Sequence, residues 1–198
     1  FGERPALGFT PSYSMHPLIA KVIGTKWNDG GRRADFSLDL AKAKSDIAKI
    51  KPGLTFITTP NNPTGTTVTL AEIQELAIAT GQIQGLLIVD EAYAEFSDKA
   101  SAVTLLAKYP NLVVIRTMSK AFAFAGARLG YLVANKELVS AMFLVRLPYH
   151  LSSLTQAAAE VALQYQSELL GNVSTLIKAR KSVVAAIEEL GLQVVPSQ

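Results

Sequence analysis

The chain has 198 residues, with 19 Lys+Arg against 16 Asp+Glu for a net charge of +3, two His and no Cys. Hydrophobic residues make up 49% and charged residues 18%. That is too apolar for a disordered tail or a charged coiled coil, yet no run approaches the ~18 apolar residues of a membrane helix. Without Cys there is no disulfide, thiolate nucleophile or thiolate metal site, two isolated His do not make a metal site, and the scattered basic residues form no nucleic-acid-binding stripe.

At ~150 residues per domain the length fits one domain and a piece of another. The start, Phe1-Gly2-Glu3-Arg4-Pro5, has neither the basic nor the apolar region of a secretory signal. Tyr13 to Val22 has helical spacing. Asp39 to Ile50 reads as an amphipathic helix with Leu40, Ala43, Ile47 and Ile50 on one face and Lys51-Pro52-Gly53 as its stop. Leu54 to Thr58 is a short β-rich run ending in the turn cluster Pro60-Asn61-Asn62-Pro63-Thr64-Gly65. Thr69 and Glu72 form a capping box for the next helix, whose buried stripe is Leu70, Ile73, Leu76 and Ala77.

Leu86 to Val89 is a continuous apolar strand. Continuous rather than alternating apolarity indicates burial on both faces, as in parallel sheets. Leu112 to Ile115 reads as a second such strand and Leu129 to Val133 as a third. From Glu137 to about Leu190 the pattern is helical, punctuated by Gly171-Asn172 and Gly191, and Leu192 to Gln198 reads as a strand beginning. With that end and the non-Met start, the sequence reads as a piece of a longer chain or as a mature chain trimmed at both ends. Strands separated by helices predict an α/β fold, a mainly parallel sheet flanked by helices in three α/β/α layers.

In such sheets ligands bind beyond the carboxyl ends of the strands, and three strand ends carry polar residues that the strands do not need. These are Asn61 to Gly65, Asp90-Glu91-Ala92-Tyr93, and Arg116-Thr117-Met118-Ser119-Lys120, followed by Gly126-Ala127-Arg128-Leu129-Gly130 leading into the next strand. Converging on one crevice, they offer an amide, a carboxylate, a phenol, hydroxyls, an amine and a guanidinium. The amine can attack a carbonyl to form a Schiff base, the carboxylate can keep a ring nitrogen protonated, and the guanidinium fork and hydroxyls suit a phosphate.

Asn62-Pro63-Thr64-Gly65, Asp90-Glu91-Ala92-Tyr93 and the ordered stretch Thr117 to Gly130 together resemble the fold-type I pyridoxal-phosphate aminotransferases. Pro11 to Met15, Asp90 to Phe96, Arg116 to Phe122 and Leu147 to Ser152 look like its histidinol-phosphate aminotransferase branch, and the resemblance covers essentially the whole chain. It implies that Lys120 carries pyridoxal 5′-phosphate as a Schiff base and then shuttles a proton. Asp90 would pair with the pyridinium nitrogen, Asn62 and Tyr93 would hydrogen-bond the ring hydroxyl oxygen, Thr117, Ser119 and Arg128 would grip the phosphate, and Tyr13 would stack on the ring. Asn62-Pro63 is expected to be cis.

The resemblance further implies a large cofactor-binding domain over 1–175, incomplete at its N-terminus, and the start of a small domain over 176–198. The family's phosphate-binding backbone turn would lie upstream and its substrate-binding arginines downstream, so the stretch by itself is expected to be inactive. The implied reaction moves an amino group between L-histidinol phosphate and 2-oxoglutarate in histidine biosynthesis. Aromatic or other amino-acid aminotransferases and phosphoamino-acid decarboxylases of the same fold are the alternatives. A cytoplasmic homodimer is implied, with its active site at the subunit interface, a small-molecule amino donor and 2-oxo acid as substrates, and neither nucleic acid nor membrane as partner. His16 and His150 are left out as structural or exposed. Glu91, on the opposite face of its strand from Asp90, should point away from the ring.

Overall fold

A computed structural model describes residues 3–198; Phe1 and Gly2, part of the reading of the chain's start, lie outside them. The elements run β1 (Ala6–Gly8), α1 (Met15–Val22), β2 (Trp27–Asp29), α2 (Leu40–Ile50), β3 (Leu54–Thr58), α3 (Leu70–Gln82), β4 (Leu86–Asp90), β5 (Leu112–Thr117), β6 (Gly130–Ala134), α4 (Lys136–Val145), α5 (Ser153–Gln164) and α6 (Gln166–Glu189). Among the described residues they build one sheet in the order β2-β1-β3-β4-β5-β6. All neighbours are parallel except β5 and β6.

Local sequence explains the helix ends. Asp39 accepts the Lys42 N–H at 3.0 Å to cap α2, and Lys51 ends that helix in the left-handed conformation. Thr69 and Glu72 form the expected capping box of α3. The apolar stripes of α2 and α3 meet one face of the sheet, where Ala43, Ile47, Ile73, Leu76 and Ala77 pack with Leu7, Ile57, Leu87, Val89, Leu112 and Val114. On the other face Leu86, Ile88 and Val113 pack with Phe56 and with Leu138 of α4, and α1 lies against β1 and β2. The three-layer arrangement is the expected one. At the edge away from the strands' carboxyl ends, Arg4 donates to the carbonyls of Lys51, Pro52, Ile83 and Gln84, and so closes the ends of both helices.

Several details differ from the sequence reading. β1 and β2 are three residues each, too short to show a period. The helix expected from Tyr13 begins at Met15. The strand read as doubly buried over Leu129 to Val133 is β6, an exposed antiparallel strand. A parallel return needs a crossover of about a dozen residues or more, usually a helix, and β5 and β6 are joined only by a loop with one 3-10 turn. The single helical stretch is three helices. Gly171-Asn172 does not break α6. A mid-helix Gly costs about 1 kcal/mol, while the buried Val173 and the partly buried Leu169, Leu170 and Ile177 around it pack against Phe122 and its neighbours. Full burial of one such side chain contributes roughly 1.5–3 kcal/mol, so one buried and three partly buried chains together outweigh the glycine. Leu192 to Gln198 forms no strand; it runs past the Gly65 turn, where the Gln198 N–H donates to the Gly65 carbonyl.

Candidate active site

Strands β3, β4 and β5 deliver their polar ends to one side of the sheet. A cavity of about 270 Å³ there is lined by Tyr13, Asn62, Asp90, Tyr93, Thr117, Ser119, Lys120 and Arg128, together with Thr58, Ala92, Ile115, Arg116 and Ala125. All eight side chains singled out in the sequence therefore meet at one place. Asp90 is its buried floor, 6% exposed, while Tyr13, Lys120 and Arg128 line the open side.

Each wall has its own support. The Asn62 turn hangs on Asn61, which is buried. Asn61 donates to the Pro11 carbonyl and to Thr64 Oγ1, and accepts from Ser12 Oγ at 2.8 Å. It thereby ties the Tyr13 loop to the Asn62 loop. Gly65 closes the turn at φ +70°, a region that glycine enters without a Cβ penalty. Asn62-Pro63 is cis. Asn62 Nδ2 lies 3.5 Å from Tyr93 Oη, and Lys120 Nζ stands 5.5 Å from the Tyr93 ring centre.

Thr117 Oγ1 lies 2.9 Å from Ser119 Oγ and accepts the Ser119 N–H at 3.1 Å, so the two hydroxyls are held as a pair. Phe122, Met118 and Ala121 pack against α5 and α6 and fix the Lys120 loop from behind. Arg128 sits at φ +55° and turns the chain into β6.

Of the two histidines read as structural or exposed, His16 is the structural one. It is buried, its Nε2 is 3.1 Å from Asp90 Oδ2, and its ring stacks on Phe56 and meets the edge of Tyr13. An ionised carboxylate can only accept, so with Asp90 charged the Nε2 proton points to it. Asp90 also accepts the Ala92 N–H at 3.0 Å. These two donors offset the cost of burying a carboxylate. The local signal was the i, i+3 spacing from Tyr13, but the partner lies 74 residues away and has no sequence signature. His150, by contrast, is exposed in the loop between α4 and α5. Glu91 points away from the cavity, as expected, and pairs with Arg116 at 2.7 Å, a residue whose side chain the sequence did not single out.

The arrangement gathers a buried, hydrogen-bonded carboxylate, an amine beside a phenol and an amide, a hydroxyl pair and a guanidinium around one cavity. The chain belongs to the aminotransferase class I and II family, whose sequence model matches residues 1–198. Among its curated relatives, histidinol-phosphate aminotransferase of Mycobacterium leprae (strain Br4923) is 52% identical over 98% of this chain and 51% of the relative. That of Rhodococcus opacus (strain B4) is 54% identical over 98% and 50%. A crystal structure of histidinol-phosphate aminotransferase from Sinorhizobium meliloti in complex with pyridoxal-5′-phosphate superposes with a TM-score of 0.89 at 26% identity, over 98% of this chain and 53% of that one. The chain thus spans about half the length of the curated relatives it matches. No helix among the described residues is long and apolar enough to cross a membrane.

Proposed function

We propose that the full-length protein is a pyridoxal-phosphate-dependent aminotransferase that moves an amino group between L-histidinol phosphate and 2-oxoglutarate in histidine biosynthesis. The observation that carries this reading is the convergence of Lys120, Asp90, Tyr93, Asn62, Thr117, Ser119, Arg128 and Tyr13 on one cavity in a chain about half identical to enzymes of that name. The donor set fits the cofactor: an amine for its aldehyde, a carboxylate for its ring nitrogen, and hydroxyls with a guanidinium for its phosphate.

The bound cofactor supplies an electron sink for the pair of electrons left on a substrate carbon. Asp90, held by His16 and the Ala92 N–H, would pair with the ring nitrogen and favour its protonated form. Asn62 and Tyr93 would hydrogen-bond the ring oxygen and favour its anionic form. Thr117 and Ser119 hydroxyls and the Arg128 fork would bind the phosphate, and Tyr13 would stack on the ring. The Lys120 amine would hold the cofactor through its aldehyde and, when free, would be the base positioned to move the proton at substrate Cα. The domain boundary proposed near residue 175 falls inside α6 (Gln166–Glu189), so one helix would carry the chain from the large domain into the small one. A cytoplasmic homodimer completes the proposal.

Absorption spectroscopy and kinetics on the full-length protein test this. The protein with pyridoxal phosphate is expected to show a visible band that histidinol phosphate bleaches. Lys120→Ala should lose the band and at least about 10²-fold in turnover, the lower end of what a positioned proton-transfer group contributes. Bleaching by aromatic amino acids but not histidinol phosphate would replace the substrate. Carbon dioxide release from a phosphoamino acid would replace the reaction. No band in the full-length protein would overturn the proposal.

A further inference from the structure

Behind the cavity, on the face of β4 opposite Asp90, lies an ion cluster that the proposed chemistry does not use. Glu91 is 3% exposed and carries four donors. Its Oε2 accepts from Arg116 Nε at 3.1 Å, Arg116 Nη2 at 2.7 Å and Ser101 Oγ at 2.7 Å, and its Oε1 accepts the Ala102 N–H at 2.6 Å. Arg116 Nη1 reaches on to Glu95 Oε1 at 3.3 Å. Burial alone would lower the Arg116 pKa, but the Glu91 hydrogen bonds and the Glu91 and Glu95 charges raise it above its ordinary value. The guanidinium, on a residue that also lines the cavity, is paired with Glu91 and Glu95.

The cluster joins the segments that carry the site. Glu91 follows Asp90 at the end of β4. Glu95 belongs to the 3-10 turn Ala94–Phe96 that Tyr93 opens. Arg116 precedes Thr117, Ser119 and Lys120 on β5. From the cavity side, Tyr93 is held only loosely, with Asn62 Nδ2 at 3.5 Å and the Lys120 amine 5.5 Å from its ring centre. Arg116 Nε and Nη2 converge on one Glu91 oxygen, and Nη1 reaches a second carboxylate on the Tyr93 turn. Three N–H groups of one planar guanidinium aimed at two carboxylates fix the angle between the two loops, because the plane constrains direction as well as distance.

We infer that Arg116, acting through Glu91 and Glu95, is a positioning residue that sets the Tyr93 ring against the Lys120 amine. The inference rests on the proposed function for what those two residues act on, but the juxtaposition itself can be read without ligand. Lysine has the charge of arginine and nearly its reach, without the fork, so Arg116→Lys keeps a cation beside Glu91 and loses the direction. Glu95→Gln keeps an acceptor for Nη1 and leaves the Glu91 anchor intact, so both variants are expected to fold.

The test uses the full-length protein, with Tyr93→Phe and the Arg116→Lys/Tyr93→Phe double variant alongside. Two quantities are read: the rate at which acetic anhydride labels Lys120 in the cofactor-free protein, followed by mass spectrometry, and the pH midpoint of the visible band after loading with pyridoxal phosphate. Arg116→Lys and Glu95→Gln should change the labelling rate by roughly twofold or more. They should move the midpoint in the same direction as Tyr93→Phe, by about 0.4 pH unit or more for a coupling at the low end of contacting residues. The double variant should go no further than Tyr93→Phe alone. A lowered melting temperature with unchanged labelling and midpoint, or Arg116→Lys and Tyr93→Phe effects that add in full, would reduce the cluster to a structural ion pair and overturn the inference. A protein without a visible band defeats the proposed function, and the labelling rates then decide the positioning role alone. Tyr93→Phe with no effect on either quantity overturns that role.

Discussion

The two halves of the molecule bury their apolar residues very differently. In the parallel half, from β1 to β5, Leu7, Ile47, Ile57, Ile73, Leu76, Leu87 and Leu112 are at most 1% exposed. In the half that follows, β6 and α4 contain no buried residue, and α5 and α6 contribute only Ala159 and Val173, while Phe143, Leu144, Leu147, Tyr149 and Leu154 are more than half exposed. Most cavity residues come from the ends of the first half, and the second half braces the Lys120 loop through Phe122 and its neighbours. A parallel sheet, covered on both faces, fixes its strand ends rigidly, so reactive groups placed there inherit that rigidity.

The largest expected effect is in the core. Leu87→Ala should destabilise by about 3 kcal/mol, against about 0.5 kcal/mol or less for Leu144→Ala in α4; denaturant unfolding would measure both, and similar losses would break the contrast. The two histidines sharpen it. His16→Ala removes a donor from a buried carboxylate and should cost roughly 1–3 kcal/mol, while His150→Ala should leave the unfolding midpoint unchanged. At the helix starts, Thr69→Ala should cost about 1 kcal/mol through loss of the capping box of α3. Ser152→Ala, a cap on the less buried α5, should register less in global unfolding and more in hydrogen exchange confined to that helix.

The smallest effect concerns acid. Partial burial pushes the Asp29 carboxyl up, but the Thr10 hydroxyl, the Thr10 and Gly31 N–H groups and the Lys42 charge together hold it below its ordinary 3.8. A carboxylate lowered in the folded state adds stability that is present above its unfolded pKa and lost as the pH falls through the folded one. Asp29→Asn should therefore be less stable than the parent at pH 6, and the gap should close in acid below pH 3.8. A gap that stays constant down to low pH would show that the hydrogen bonds matter there without the charge.

How much of this was legible in the sequence follows from how local each cause is. β3, β4, α2 and α3 are specified by their own residues: Asp39 and Thr69 cap, Lys51 and Gly53 stop, and the apolar runs have the right period. The cavity was legible because strand ends in a parallel sheet share one side, so Asn62, Asp90, Tyr93 and Lys120 were bound to come near one another once the sheet was recognised. The misses are relations between distant segments. Leu129 to Val133 looks like Leu112 to Ile115, and only its pairing partner makes it an exposed antiparallel strand. Gly171-Asn172 looks like a stop until the packing of Leu170 and Val173 is known. His16 and Arg116 look ordinary until Asp90 and Glu91 arrive beside them.

Arg128 holds a further consequence. Its backbone sits at φ +55°, a conformation that costs a non-glycine residue roughly 1–2 kcal/mol, and it does so where the sheet reverses direction. Glycine would fit that backbone better but has no guanidinium. If the proposed phosphate contact is correct, selection for a sturdier fold and selection for a retained ligand pull this one position in opposite directions. Sequence drift toward glycine here would mark a protein that has kept its architecture and given up its chemistry.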